Sequence, residues 1–216
     1  MNSSIETTSE TIKQAGIIAI LRGDFSVADM LRIGDALLAG TVNIMEVTLN
    51  SPFALQALPQ LREHFGNRML IGAGTVRDAS LARQAIEAGA QFMVAPNFDV
   101  ETVSVAQSRN VLHLPGIFTA SEAQTAFVAG CRMLKLFPMV GESGPAYLKA
   151  LRGPFNDIDF VTTGGISLEN IAEYARAGAV AVGMGSKLVL DRQQPSADLT
   201  VRAVALRKAW QDAKHA

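Results

Sequence analysis

Residues 159–186 read Asp159-Phe-Val-Thr-Thr163-Gly164-Gly165-Ile-Ser167-Leu-Glu-Asn-Ile-Ala-Glu-Tyr-Ala-Arg-Ala-Gly178-Ala-Val-Ala-Val-Gly183-Met-Gly185-Ser186. A short β-prone run, Asp159–Gly164, passes through a glycine turn into an amphipathic stretch, Leu168–Ala177. Gly178 ends that helix, and a second apolar run, Ala179–Ser186, follows. Nothing between the runs signals a hairpin, so the two strands lie parallel with a helix joining them. The same unit recurs toward the N-terminus. Its strand candidates are Gly16–Arg22, Ile44–Asn50, Leu70–Thr75, Phe92–Asn97, Val111–Ile117 and Met133–Pro138. Helical patterns separate them at Val27–Ala39, Phe53–Phe65, Ser80–Ala88, Val100–Ser108, Glu122–Ala129 and Ala146–Leu151, and Ala197–Lys214 closes the chain. Eight strand–helix units match the number that closes a barrel. The expected fold is α/β, a single (β/α)8 barrel over residues 1–216 with residues 1–15 as an extra N-terminal helix or tail. A doubly wound open sheet is the alternative. Gly40, Gly89, Gly130 and Gly178 each follow an alanine at a helix end, an echo expected to supply the left-handed turn into the next strand.

Composition narrows the function. The chain has 216 residues, 49% apolar, with a formal charge of −1, so neither disorder nor an electrostatic hold on nucleic acid is expected. The single cysteine, Cys131, excludes an internal disulfide and a cysteine-rich zinc site. The polar, acidic start is unlike a signal peptide, and no apolar run is long enough to cross a membrane. These features predict a soluble cytoplasmic protein.

Two ionisable residues interrupt apolar strands: Lys135 in Met-Leu-Lys-Leu-Phe-Pro, and Glu46 in Ile-Met-Glu-Val-Thr-Leu-Asn. An unpaired ammonium in a buried strand costs several kcal/mol, so such a lysine finds a partner or loses its proton. A neutral amine is a nucleophile toward carbonyls. Alternation groups Met133 with Lys135 and Phe137; Ile44 with Glu46, Thr48 and Asn50; Ile18 with Ile20 and Arg22. Facing each polar set inward lines one lumen with Glu46, Lys135, Arg22, Thr48, Thr75 and Thr163; the opposite choice buries the charges against helices. A self-satisfied ion pair between Glu46 and Lys135 is the bland reading. Barrel chemistry sits at the carboxyl ends of strands, where Arg22, Asn50, Thr75, Thr163 and Ser186 fall.

Gly164-Gly165 and Gly185-Ser186 leave the last two strands, the place where barrels bind phosphate, and are expected to enter helices whose amides hold an anion. His113 is equally readable as a core histidine or a lumen-facing one. No His/Asp/Glu grouping has metal-ligand spacing. Gly72-Ala-Gly74 lacks the third glycine and acidic partner of a dinucleotide site. Lys149 and Lys187 read as solvated helical lysines.

Taken in order, Ala-Ile-Leu-Arg22, Glu46-Val-Thr-Leu, Gly72-Ala-Gly-Thr75-Val, Leu-Pro115-Gly116, Lys135-Leu-Phe137-Pro138, Thr163-Gly-Gly-Ile and Gly185-Ser186 resemble the class I aldolases acting on 2-keto-3-deoxy-6-phosphogluconate (KDPG). That family includes galactonate-specific and 4-hydroxy-2-oxoglutarate-cleaving relatives, and the motifs span nearly the whole chain. The resemblance implies a homotrimeric barrel, without metal or other cofactor, that forms a Schiff base with pyruvate. It implies Lys135 as the imine-forming nucleophile and Glu46 as the proton shuttle. Arg22, Asn50, Thr75, Pro96, Phe137 and Thr163 would form the substrate-binding set, and Gly164, Gly165, Gly185 and Ser186 the phosphate-binding set. The partners would be a phosphorylated keto acid and pyruvate.

One departure stands out. KDPG-type members carry an arginine where this chain has Asn50, and an amide cannot supply a bidentate charged clamp for a carboxylate. The Leu-Asn50-Ser-Pro string resembles the galactonate branch, whereas Glu-Val-Thr and Thr163-Gly-Gly resemble the gluconate branch. Two rivals remain open at this point: a phosphosugar epimerase or isomerase using Glu46 without an imine, and a non-catalytic phosphometabolite binder.

Overall fold

The computed structural model describes residues 4–139, 141 and 143–215. Helix α1 (Ser4–Ala15) precedes a strand–helix alternation: β1 (Ile17–Leu21), α2 (Val27–Ala39), β2 (Ile44–Thr48), α3 (Ala54–Phe65), β3 (Leu70–Gly74), α4 (Ala79–Glu87), β4 (Phe92–Val94) and α5 (Val100–Ser108). It continues with β5 (Leu112–Leu114), β6 (Gly116–Ile117), α6 (Ala120–Val128), β7 (Met133–Leu136), α7 (Gly144–Arg152), β8 (Asp159–Thr163), α8 (Ile171–Arg176), β9 (Ala181–Met184) and α9 (Ser196–Lys214). Every ladder is parallel, in the order β5-β4-β3-β2-β1-β9-β8-β7-β6.

The nine strands make eight staves, because β5 and β6 are consecutive pieces of one. The first pairs with β4 and the second with β7. Pro115 lies at the break, where it has no N–H to give; its carbonyl still accepts from the Lys135 amide at 2.9 Å. The expected (β/α)8 barrel with an extra N-terminal helix is the fold found. The predicted strands overrun the ladders at their carboxyl ends, so Arg22, Asn50, Thr75 and Ser186 occupy the loops just beyond. The apolar alternation outlasts the last ladder hydrogen bond by a residue or two.

Side chains sort as alternation requires. Ile18, Ile44, Phe92, Val94, Leu112, Leu114, Met133, Val161 and Ala181 fill the lower lumen, and Ile12 and Ala15 of α1 close it from below. The other strand faces, including Ala19, Met45, Val47, Ile71, Met93, Leu134, Phe160 and Val182, pack against the helical ring. Helix starts are fixed by side chains that accept backbone N–H groups: Ser26 and Thr119 form capping boxes with Asp29 and Glu122, and Asp78 and Asp99 cap α4 and α5. Helix α9 packs on α8 and α2, completing the ring. Near its end Arg207 donates to the Gln14 and Ala15 carbonyls, and Lys214 donates to the Ala179 carbonyl at 2.6 Å, tying both chain ends to the base of the barrel.

One glycine differs from expectation. Gly89, Gly130 and Gly178 have φ of 92°, 91° and 97°, but at the first helix end the left-handed residue is Thr41 (φ 63°). Gly40 is small for another reason: a Cβ there would lie 2.4 Å from Ala203 Cβ, so it lets α9 approach α2.

Candidate active site

The upper lumen is polar where the lower is apolar. Glu46 (1% exposed) projects from β2 and Lys135 (3% exposed) from β7, with Thr48 and Thr163 also buried. Room for the carboxylate comes from β3: a Cβ on Gly74 would sit 2.5 Å from Glu46 Oε1, while one on Gly72 would strike Phe92 at 2.5 Å. The Gly72-Ala-Gly74 pattern therefore clears space across a stave rather than binding a nucleotide.

Glu46 and Lys135 share this space without closing into an ion pair; among the described residues no salt bridge joins them. Burial pushes the Glu46 carboxyl up to about 7, and the cations of Lys135 and Arg22 only partly offset it. Burial likewise lowers the Lys135 ammonium below its ordinary value; Glu46 opposes the fall and Arg22 adds to it. Each group is thus moved toward its neutral form while still feeling the other's charge. Lys135 Nζ lies 4.6 Å from the centre of the Phe137 ring, a position where the aromatic face favours positive charge on that nitrogen.

Around the rim, Arg22 turns toward β3 and donates to Thr75 Oγ1 at 3.3 Å. Thr75 takes φ 60°, a left-handed conformation that costs a β-branched residue energy and is typical of functional positions. Two hydroxyls brace this corner: Thr48, which alternation had placed in the lumen, and Ser51, to which the sequence reading gave no role. Ser51 Oγ lies 3.0 Å from Thr48 Oγ1 and accepts the Gly23 amide at 3.1 Å, anchoring the loop that carries Arg22. The only signal for Ser51 in the sequence was adjacency to Asn50, which is exposed in the turn after β2.

Phe137 divides the mouth. On one side a cleft of about 330 Å³ is lined by Arg22, Thr163, Gly164, Gly165, Gly185, Ser186 and Lys187. On the other, Pro96, Gly116 and Pro138 border a wider depression of about 520 Å³. Neither glycine turn feeds a helix directly, contrary to expectation. Gly164 and Gly165 (φ 107° and 63°) precede a turn, with α8 beginning only at Ile171. Beyond β9 the Gly185 carbonyl accepts the Leu188 and Val189 amides at 2.8 and 2.9 Å, a tight turn well before α9. Lys187 accordingly stands on a turn at the cleft and not on a helix.

His113 does not join the site. It pairs in register with Met93, on the outer face of the wall, while Leu112 and Leu114 take the lumen. Burial lowers its pKa to about 4, so it stays neutral. Cys131 is a buried thiol raised to about 11, in keeping with a small hydrophobe.

A model of the KDPG and KHG aldolase family matches residues 8–201. The chain belongs to that family. It is 41% identical over 184 residues to a 2-dehydro-3-deoxy-phosphogluconate aldolase of Pseudomonas aeruginosa, covering 83% of each chain. It is 36% identical to a 2-dehydro-3-deoxy-6-phosphogalactonate aldolase of Escherichia coli, covering 91% of this chain and 95% of the other. Among solved structures, a KDPG aldolase from Legionella pneumophila, with pyruvate captured as a covalent carbinolamine, superposes with a TM-score of 0.84 at 30% identity. That match covers 90% of this chain and 96% of the other. No helix among the described residues is long and apolar enough to cross a membrane.

Proposed function

We propose that this chain is a class I aldolase that reversibly cleaves a 2-keto-3-deoxy-6-phospho-aldonate to pyruvate and D-glyceraldehyde 3-phosphate. The observation that carries the reading is the pairing of a buried, proton-shedding Lys135 with a buried, proton-retaining Glu46 in one lumen, unjoined by a salt bridge. A buried pair kept for stability alone is poorly rewarded, so two ionisable groups both shifted toward neutrality in one lumen point to chemistry.

Neutral Lys135 Nζ adds to the C2 ketone, and loss of water leaves a protonated imine. Phe137, whose ring lies beside Nζ, favours that positive charge. Glu46 removes the C4 hydroxyl proton, the C3–C4 bond breaks, and its electrons pass into the imine to give an enamine. The departing fragment leaves as the aldehyde. Protonation at C3 yields the pyruvyl imine, and water releases pyruvate and the free amine. A carboxyl near pH 7 suits both the taking and the giving of that proton.

The same reading places the keto-acid carboxylate against Arg22 and Thr75, with Asn50, Pro96 and Thr163 completing the substrate walls. The phosphate lies on Gly164, Gly165, Gly185 and Ser186, held by backbone amides of two turns. Asn50 leaves Arg22 as the cation for the carboxylate, which fits its hydrogen bond to Thr75. A homotrimer in the cytoplasm belongs to this reading, and sedimentation analysis tests the assembly.

Borohydride with pyruvate should fix a stable adduct on Lys135, read by peptide mass spectrometry. Lys135→Ala should lose both the adduct and turnover, since Lys149 and Lys187 are exposed outside the lumen. An unmodified parent protein would sink the imine. Cleavage rates on the gluconate and galactonate epimers then assign the C4 preference.

A further inference from the structure

The cleft beside Phe137 has an uneven charge distribution. Its lining holds two cations, Arg22 and Lys187, and no carboxylate. The two cations are not equivalent. Arg22 is already engaged by its hydrogen bond to Thr75 beyond β3. Lys187 follows Ser186 directly, on the tight turn whose Gly185 carbonyl accepts two amides. Among the described residues it has no ion pair within 4.0 Å. It lines the same cleft as Gly164 and Gly165 of the opposite turn. Glu169, on the loop that follows Gly164 and Gly165, is held below the usual carboxylate range first by hydrogen bonding to Ser167 and also by Lys187. A cation without a close ion pair thus shares one cleft with the two glycine turns. Turn amides offer an anion hydrogen bonds from partial charges; an ammonium adds a full charge, and its attraction grows with the charge of the ligand.

We propose that Lys187 is a specificity-determining residue, the cation that selects substrates ending in a phosphate dianion over their unphosphorylated counterparts. The inference rests on the aldolase reading, since it assigns the far end of that substrate. It predicts a residue that acts on binding rather than on chemistry, because Lys187 lies outside the lumen that holds Glu46 and Lys135.

The test is steady-state cleavage of a 2-keto-3-deoxy-6-phospho-aldonate and of the same acid without phosphate, by the parent chain and by Lys187→Met and Lys187→Arg. With the phosphorylated acid, Lys187→Met should raise KM about tenfold with kcat nearly unchanged, as expected for one exposed charge-assisted contact. Kinetics on the unphosphorylated acid should not move, and Lys187→Arg should restore most of the loss. Added salt should raise KM less in Lys187→Met than in the parent. Equal effects on both substrates, or an unchanged KM for the phosphorylated one, would overturn the assignment while leaving imine trapping at Lys135 intact. A parent chain that releases pyruvate from neither substrate overturns the aldolase reading, and this inference with it.

Discussion

Glu46 illustrates how one buried carboxyl ties the proposed chemistry to stability. Folding carries it from its ordinary 4.5 up to about 7, so the folded chain binds this proton more tightly than the unfolded chain does. The stabilising contribution is complete below the unfolded value and is lost as pH rises through about 7, where a carboxylate is held in a dry lumen. The shift corresponds to at most about 3 kcal/mol. Glu46→Gln, which cannot ionise, should therefore outlast the parent in urea at pH 8, and its advantage should shrink toward pH 5. Its turnover should fall by about 10² to 10⁴, the range lost with a general acid–base group. A variant with parental activity would remove Glu46 from the chemistry; a pH-independent difference in urea midpoint would remove the ionisation argument. At this scale the sequence was informative because charge inside an apolar strand is conspicuous. Ser51 was not, since hydroxyls are tolerated almost anywhere and only the fold brings it to Gly23 and Thr48. The left-handed turn at Thr75 likewise has no signature in a β-branched residue.

Among the elements, the broken fifth stave is the most constrained. The Gly116 amide donates to the Asn97 carbonyl, and the residue pairs in register with Lys135. A Cβ at Gly116 would stand 2.3 Å from the Pro96 carbonyl carbon, which is main chain and cannot swing aside. Gly116→Ala should cost about 2–4 kcal/mol in a denaturant titration and slow imine trapping by displacing β7. Unchanged stability would mean that β4 and β6 can separate without loss. Strand–helix alternation had revealed all eight staves, because each is short, apolar and bounded by turn residues. It could not reveal the interruption at Pro115, since Leu-Pro-Gly inside an apolar run reads equally as a strand end or a strand break. It also extended the glycine turns into helices, because Leu168 and its neighbours fit a helical period that α8 takes up only at Ile171.

For the molecule as a whole, the barrel separates by height. The lower lumen is an apolar plug in which Ile12 of α1, fully buried, meets side chains from several staves; the upper lumen is the polar chamber. Ile12→Ala should therefore cost about 2–4 kcal/mol of stability while leaving KM for the phosphorylated acid unchanged, as calorimetry and steady-state kinetics would check. A shifted KM would show that the two levels communicate. The sequence pointed to an extra helix but not to its place, because an amphipathic stretch before the first strand does not say which end of a barrel it covers. Since α1 lies beneath the lumen and the last turns of α9 are tied to the same base, Ser4 and His215 both lie on the side away from the mouth. A tag, a carrier protein or a solid support joined through either terminus would hang from that base, leaving the opening clear for diffusing metabolites.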